Sequence, residues 1–420
     1  MLCIVSFFFE TYFLCFVFFF IFFLSTFPFY SVSYSLFTSF VFDGFRFYII
    51  FLTFFVLYIS YYFILYISKK DLVCMTIFIP CFLVFSSSSG LLLYVSYEVS
   101  LLPIIYIILK WGSYPERSLR SLMLLVYTRI FSFPLILGLF YMYTAVSSFC
   151  LVLVYPFYTF SLLFSLVIFF SFCVKLPVYG LHYWLPMAHV EAPTFGSMIL
   201  AGILLKLGGI GLVRFFFFLD LASYKLFFLS YFLFFLLFSS LICCFQSDFK
   251  RLVAYSSVAH MIAVPIVLMS SSFMSLKFSV FLMLFHGLSS PVLFCLVGLT
   301  YLARSSRQLV LLRGLTLVSP LLSIIFIFSF LFTLSAPPYV SFFSEVFFFM
   351  LTVFITPYSI FFLLFFCLFC LVYNLNWLSN IIFRSVSSLN YHYSLQFSSV
   401  FPIFLRHFFS FILLFMVSVL

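Results

Sequence analysis

The stretch KLPVYGLHYWLPMAHVEAPTFGSMILAGILLKLGGIGLVR, residues 175–214, decides the reading of the fold. Its second half, 194–214, is an apolar run of bilayer length that carries Lys206 with apolar residues on both sides. Its first half cannot continue as one straight helix. It belongs to an apolar element at 152–190 that is too long for a single span and holds Pro177 and Pro186. Proline removes a backbone donor and breaks helices. In lipid, broken backbone survives only where protein or water satisfies it. A discontinuous helix is therefore expected, with its break near Lys175 to Tyr179. Gly208, Gly209 and Gly211 are expected to loosen the next span in the same way.

The rest of the chain has the same solvent. Hydrophobic residues make up 67% of its 420 positions and charged residues 7%, against about 25% charged in ordinary soluble domains. A soluble fold of this composition would expose large apolar patches to water. With a span needing about 20 apolar residues, candidates fall at 3–24, 27–42, 46–67, 72–89, 91–109 and 121–142. They continue at 152–190 (interrupted), 194–214, 223–245, 252–270, 276–300, 315–333, 340–372 and 407–420, the 340–372 element being one long interrupted helix or two. The expected fold is all-α: a polytopic transmembrane helix bundle of about 13 spans with two discontinuous helices. Met1 to Leu24 has Glu10 within it and no basic stretch, and reads as a retained first span.

The net charge of +10 does not point to nucleic acid, because the basic residues sit in short gaps between apolar runs. The loops at Lys69-Lys70, Arg117 with Arg120, Lys250-Arg251, and Arg304 with Arg307 and Arg313 are separated by even numbers of spans. All four are expected on one face, as the positive-inside rule requires. The 75 Phe and 28 Tyr are not demanded by lipid. They read as T-rich codon usage, as in an AT-rich organellar genome, or as an aromatic-rich bacterial protein.

The informative charges lie inside spans. Glu98 sits in LLLYVSYEVSLLPIIYIIL, Lys175 at the expected break, Lys206 in SMILAGILLKLGGIGLVR, and Glu345 after Ala336-Pro337-Pro338. An ionised group at the bilayer centre costs several kcal/mol unless paired or wet. Each alone can be read as a helix-end or snorkelling charge; four together suit a proton path. Burial disfavours the charged form of acid and amine alike, and each responds to its neighbour's charge. His260 and His286, in or at the start of apolar runs, read equally as structural hydrogen-bonding groups or as proton carriers. His182 and Glu191 are placed to face one another in the polar stretch YGLHYWLPMAHVEAP, without enough ligands for a metal. Arg129 lies a turn or two inside a span with no obvious partner. The eleven scattered cysteines, Cys243-Cys244 and Cys367-Leu-Phe-Cys370 included, read as small apolar side chains.

Five blocks carry a resemblance: 175–214 as quoted, YEVSLLPIIYIILKWGSYPER at 97–117, DFKRLVAYSSVAHM at 248–261, HGLSSPVLF at 286–294 and APPYVSFFSE at 336–345. In their order along the chain they resemble the chain 4 family of NADH-ubiquinone oxidoreductase, the antiporter-like membrane subunits of respiratory complex I. The resemblance covers residues from about 90 to 345. By it, Glu98 is the glutamate of the family's fifth helix, Lys175 the lysine at the broken seventh, Lys206 the central lysine of the eighth and Glu345 the glutamate near the break of the twelfth, with His260 and His286 linking them. It implies a subunit that translocates protons, coupled to electron transfer from NADH to ubiquinone. NADH, FMN, iron–sulfur clusters and ubiquinone are then expected in other subunits, with no cofactor or metal in this chain.

The implied partners are other membrane-arm subunits, including neighbouring antiporter-like ones, and membrane lipids, in a hetero-oligomer of the mitochondrial inner membrane. Residues 1–90 would be amino-terminal helices, 91–345 the proton-translocating core and 346–420 carboxy-terminal helices. Met187 and the missing asparagine before Pro337-Pro338 depart from the family pattern, and Arg129 is unfamiliar at its place. A multisubunit cation/proton antiporter and a purely structural membrane scaffold are the competing readings.

Overall fold

The computed structural model describes residues 71–383 except 113–114, 152–160, 179, 220–223, 315–319 and 338, together with seven positions between 50 and 60. The spans read at 3–24, 27–42 and 407–420, most of that at 46–67, and the Lys69-Lys70 loop lie outside the described residues. The described chain is helical. We number its helices α1 (Asp71–Ser86), α2 (Gly90–Trp111), α3 (Arg117–Val146), α4 (Leu162–Cys173), α5 (Trp184–Glu191) and α6 (Thr194–Phe215). They continue as α7 (Lys225–Cys244), α8 (Phe249–Leu268), α9 (Phe273–Arg304), α10 (Pro320–Thr333), α11 (Val340–Ile355) and α12 (Ser359–Leu378). Every span read between 72 and 372 has a helix on it. The 340–372 element is two helices, parted at Thr356-Pro357, where Thr356 is extended.

Among the described residues, seven helices are long and apolar enough to cross a membrane. Burial sorts them into centre and rim. The apolar window of α9 is wholly buried and that of α6 is 94% buried, whereas those of α3 and α12 are 33% buried. The inner pair is therefore α6 and α9, packed directly against each other. Helices that are apolar all round suit this arrangement, since protein and lipid are alike as surroundings for leucine and phenylalanine.

The break expected near Lys175 is present. After α4 the chain leaves the helix at Val174, and Leu176 N–H donates to the Phe172 carbonyl at 3.0 Å. The Val174 carbonyl, deprived of its helical partner, accepts the Trp184 indole N–H at 2.9 Å. The second break lies between α10 and α11, where Ser335 adopts left-handed φ (52°) just before Ala336-Pro337. Milder breaks occur at Ser100, ahead of Pro103 in α2, and at Ile262, ahead of Pro265 in α8.

The glycines of α6 act differently from the sequence expectation. The irregular turn of α6 is a π turn at Leu200–Leu204, upstream of them. Gly208 and Gly211 lie in regular helix and admit the α4–α5 break instead. A β-carbon on Gly208 would meet the Leu176 N and the Lys175 Cβ at 3.0 Å, and one on Gly211 would run into the Phe172 ring. Gly202 likewise lets α6 approach Val56 and Pro291.

Candidate functional site

The titratable residues picked from sequence fall into two clusters on either side of α6. In the first, Glu98 of α2 is 5% exposed and Lys175 is 1% exposed. Lys175 Nζ donates to the Tyr97 carbonyl at 2.9 Å and lies 2.8 Å from the centroid of the Tyr97 ring. That carbonyl sits one turn before the kink at Ser100. Lys175 feels the charges of Glu98 and, with opposite sign, Arg129. Arg129, without an obvious partner in the sequence, reaches from α3 to Glu98, with Nη1 3.2 Å from Oε2. The three charges thus form one set in which two cations share one carboxylate.

The second cluster is a row across the bundle centre. Lys206 is fully buried. Its Nζ reaches back along its own helix to the Ala201 carbonyl, inside the π turn, at 2.5 Å. The same Nζ is 2.8 Å from His286 Nδ1 on α9. The ring of His260, on α8, lies 6.4 Å from that of His286, centroid to centroid. His260 Nδ1 is in turn 3.5 Å from Glu345 Oε1 on α11. Lysine, two imidazoles and a carboxylate therefore follow one another through four helices.

A narrow cavity of about 50 Å³ runs beside the row, lined by His260, His286, Glu345 and several serines. A water needs roughly 10–15 Å³ of such space and two to four polar partners. The serines supply the partners. Ser256, Ser257, Ser289, Ser290 and Ser344 each donate their hydroxyl to a carbonyl three or four residues back in their own helix. Their oxygen lone pairs stay available as acceptors. This lining went unread in the sequence. Its signal was serine three or four residues from His260 and His286, with Ser344 next to Glu345.

A further polar group gathers where three basic loops meet. Arg120, Glu191, Lys250, Arg251 and Arg307 line one pocket of about 510 Å³. The described basic loops therefore share a face, as the span parity required. Glu191 is fully buried and pairs with Arg120 at 3.1 Å, while His182 stacks on Tyr183 at 4.5 Å. Lys250 is no loop charge, being 1% exposed. Its Nζ donates to the Ala192 carbonyl and, at 3.4 Å, to that of Val190. Arg307 also donates to Val190, at 3.3 Å. Two cations thus cap the carboxy-terminal carbonyls of α5, the end of a helix that favours them. His189, fully buried and stacked on Phe294 at 4.6 Å, feels both Lys250 and Lys206. Among the described residues, no group of three His, Cys, Asp or Glu is placed to hold a metal.

An all-helical bundle with broken helices and buried lysines at its centre is the architecture of antiporter-like membrane subunits. The family model described as NADH:quinone oxidoreductase/Mrp antiporter, transmembrane, matches residues 87–372, and the chain belongs to that family. Its relatives include NADH-ubiquinone oxidoreductase chain 4 of Ceratitis capitata, 41% identical over 266 residues, which are 63% of this chain and 60% of that protein. Chain 4 of Struthio camelus is 40% identical over 274 residues, 63% of this chain and 59% of that one. The chain thus matches about 60% of the length of these curated relatives.

Two solved structures share the fold. A chain of respiratory complex I from Thermus thermophilus with bound NADH superposes with a TM-score of 0.83 at 19% identity, covering 89% of this chain and 81% of that one. A chain of the membrane-bound sulfane sulfur reductase, an archaeal respiratory membrane complex, gives 0.79 at 15% identity, covering 88% and 80%.

Proposed function

We propose that the chain is a proton-translocating membrane-arm subunit of respiratory complex I, moving protons as electrons pass from NADH to ubiquinone across the mitochondrial inner membrane. The observation that carries this reading is the row Lys206–His286–His260–Glu345, set beside a serine-lined cavity and flanked by the Glu98–Lys175–Arg129 set.

Lys206 and His286 are within direct hydrogen-bonding distance, so a proton passes between them without an intermediary. The 6.4 Å between the histidine rings and the 3.5 Å between His260 and Glu345 exceed a hydrogen bond of 2.7–3.2 Å. Water in the cavity bridges those two steps. Glu98 and Lys175 act on the row electrostatically. Residues 91–345 form the translocating core, with 1–90 and 346–420 as flanking helices. NADH, FMN, iron–sulfur clusters and ubiquinone are held by other subunits, with which this chain assembles among lipids and neighbouring antiporter-like subunits.

Mass identification of the polypeptides that co-migrate with the chain in a mild-detergent native gel tests the assignment. NADH-oxidising subunits are expected in the band. A second reading, a multisubunit cation/proton antiporter, draws on the family model, whose description spans both kinds of protein. A band of membrane subunits alone, without NADH-oxidising polypeptides, would establish it in place of the first.

A further inference from the structure

The break between α10 and α11 turns on Ser335. At the end of α10 the Ser335 N–H donates to the Phe332 carbonyl at 3.2 Å, and the Ala336 N–H to that of Leu331 at 3.0 Å. This pairing closes a helix on a left-handed residue that is ordinarily glycine. Here the residue is Ser335, at φ 52°. Ser147, Ser271 and Ser305 also take left-handed φ, but those three are exposed, whereas Ser335 is buried. The Ser341 hydroxyl reaches across the break to the same Phe332 carbonyl, at 3.1 Å, and pins the turn. Ser335 lines the cavity together with His260 and Glu345. Among the described residues, every other serine and threonine on that lining donates its hydroxyl to a backbone carbonyl. The Ser335 hydroxyl has no such carbonyl and is set against the Glu345 carboxyl instead. A buried serine in a backbone conformation suited to glycine, its proton uncommitted and a carboxyl before it, is a poor choice for stability alone.

We infer that Ser335 is a proton-relay residue for Glu345, passing protons between water in the cavity and the carboxyl group. His260 Nδ1 and Glu345 Oε1 are 3.5 Å apart, too far for direct transfer. A hydroxyl has one donor and two acceptor lone pairs, so it engages a water and the carboxyl at once. Toward Glu345, the Ser335 oxygen accepts a proton from water protonated by His260, and its own hydrogen goes to the carboxylate. One O–H bond forms at Oγ as the other breaks, no electrons are exchanged, and the hydroxyl is restored. Away from Glu345, the protonated carboxyl donates to Oγ while the Ser335 hydrogen leaves to water. The inference rests on the proton row proposed above and adds one member to it.

The test is the proton count per NADH oxidised in vesicles holding the assembled complex, each variant present in full amount and Lys206→Met measured in parallel. Ser335→Gly suits the left-handed backbone and removes the hydroxyl. Ser335→Asn also tolerates that backbone and offers the carboxylate an amide N–H, which holds it without passing a proton on. Ser335→Thr keeps the hydroxyl on a β-branched residue that this backbone disfavours. A purely structural serine would leave Ser335→Gly and Ser335→Asn pumping normally and Ser335→Thr impaired. A relay reverses the order. Ser335→Gly and Ser335→Asn are expected to drop to the count of Lys206→Met, with thermal melts no lower than that of the unsubstituted complex, and Ser335→Thr to retain more than either. A normal count in Ser335→Gly or Ser335→Asn overturns the relay. So does a loss in those two that comes with lowered melts, or a Ser335→Thr count no higher than theirs. The proposed function is judged separately. A count that falls in Lys206→Met and holds in Ser335→Gly refutes the relay alone, whereas a count unchanged in Lys206→Met contradicts the row itself.

Discussion

At the residue scale, the centre of the molecule is a set of costly charges held in place by few contacts. Gly208 shows how tightly. A methyl there would press on the Leu176 N and the Lys175 Cβ at 3.0 Å, and the backbone atom cannot rotate away. Gly208→Ala is expected to destabilise the chain by about 1–3 kcal/mol, the usual cost of overpacking. It should also displace Lys175, so that a thermal melt of the purified complex falls together with pumping. An unchanged melt would mean that α6 does not rest on the break. Glu98, Lys175, Lys206 and Glu345 were legible in the sequence because charge inside an apolar run is conspicuous. Arg129 was conspicuous too, but its partner was not, since Glu98 lies on another helix and only the packing of α2 on α3 joins them. Lys250 was misread for the opposite reason: next to Arg251 it looks like a loop charge, although it shares a helix face with the small residues Ala254 and Ser257.

At the element scale, each break is answered by a specific group. The Trp184 indole takes up the Val174 carbonyl freed by the first break. Trp184→Phe keeps the ring and removes the donor, leaving a buried carbonyl unsatisfied at a cost of about 1–3 kcal/mol. The expected result is a lower melting temperature and a weakened pump, whereas Trp184→Phe with wild-type stability would show the carbonyl to be satisfied otherwise. At the other end of the same element, Lys250→Met leaves the Ala192 and Val190 carbonyls with one cation fewer, and a loss of about 1–3 kcal/mol is expected on the same grounds. The break near Lys175 was readable from Pro177 in an apolar run. The π turn of α6 was not, because no residue type announces it and the nearby glycines suggested the wrong place. Gly208 and Gly211 answer to α4 and the turn after it, and Gly209 to Met283 of α9, neighbours the local sequence does not name.

At the scale of the whole molecule, the positive-inside parity of the loops was a prediction about geometry, and the convergence of Arg120, Lys250, Arg251 and Arg307 on one pocket meets it. Sidedness can be read directly. Ser118→Cys and Gln308→Cys, both exposed, are expected to react with a membrane-impermeant thiol reagent from one side of sealed vesicles, and Ala145→Cys, at the far end of α3, only from the other. Labelling of Ser118→Cys and Gln308→Cys from opposite sides would break the topology. The inner position of α6 and α9 was less accessible to sequence, since helices apolar on every side carry no stripe to say which face is inward.

The row through Lys206 is the centre of the proposed mechanism, and the ratio of protons moved to NADH oxidised tests it most directly. In vesicles containing the assembled complex, Lys206→Met preserves the length of the side chain and deletes the ammonium that bonds Ala201 and His286. NADH oxidation that continues while the proton count per NADH falls is the result expected of a path through Lys206. An unchanged count, with the variant subunit present in full amount, contradicts it.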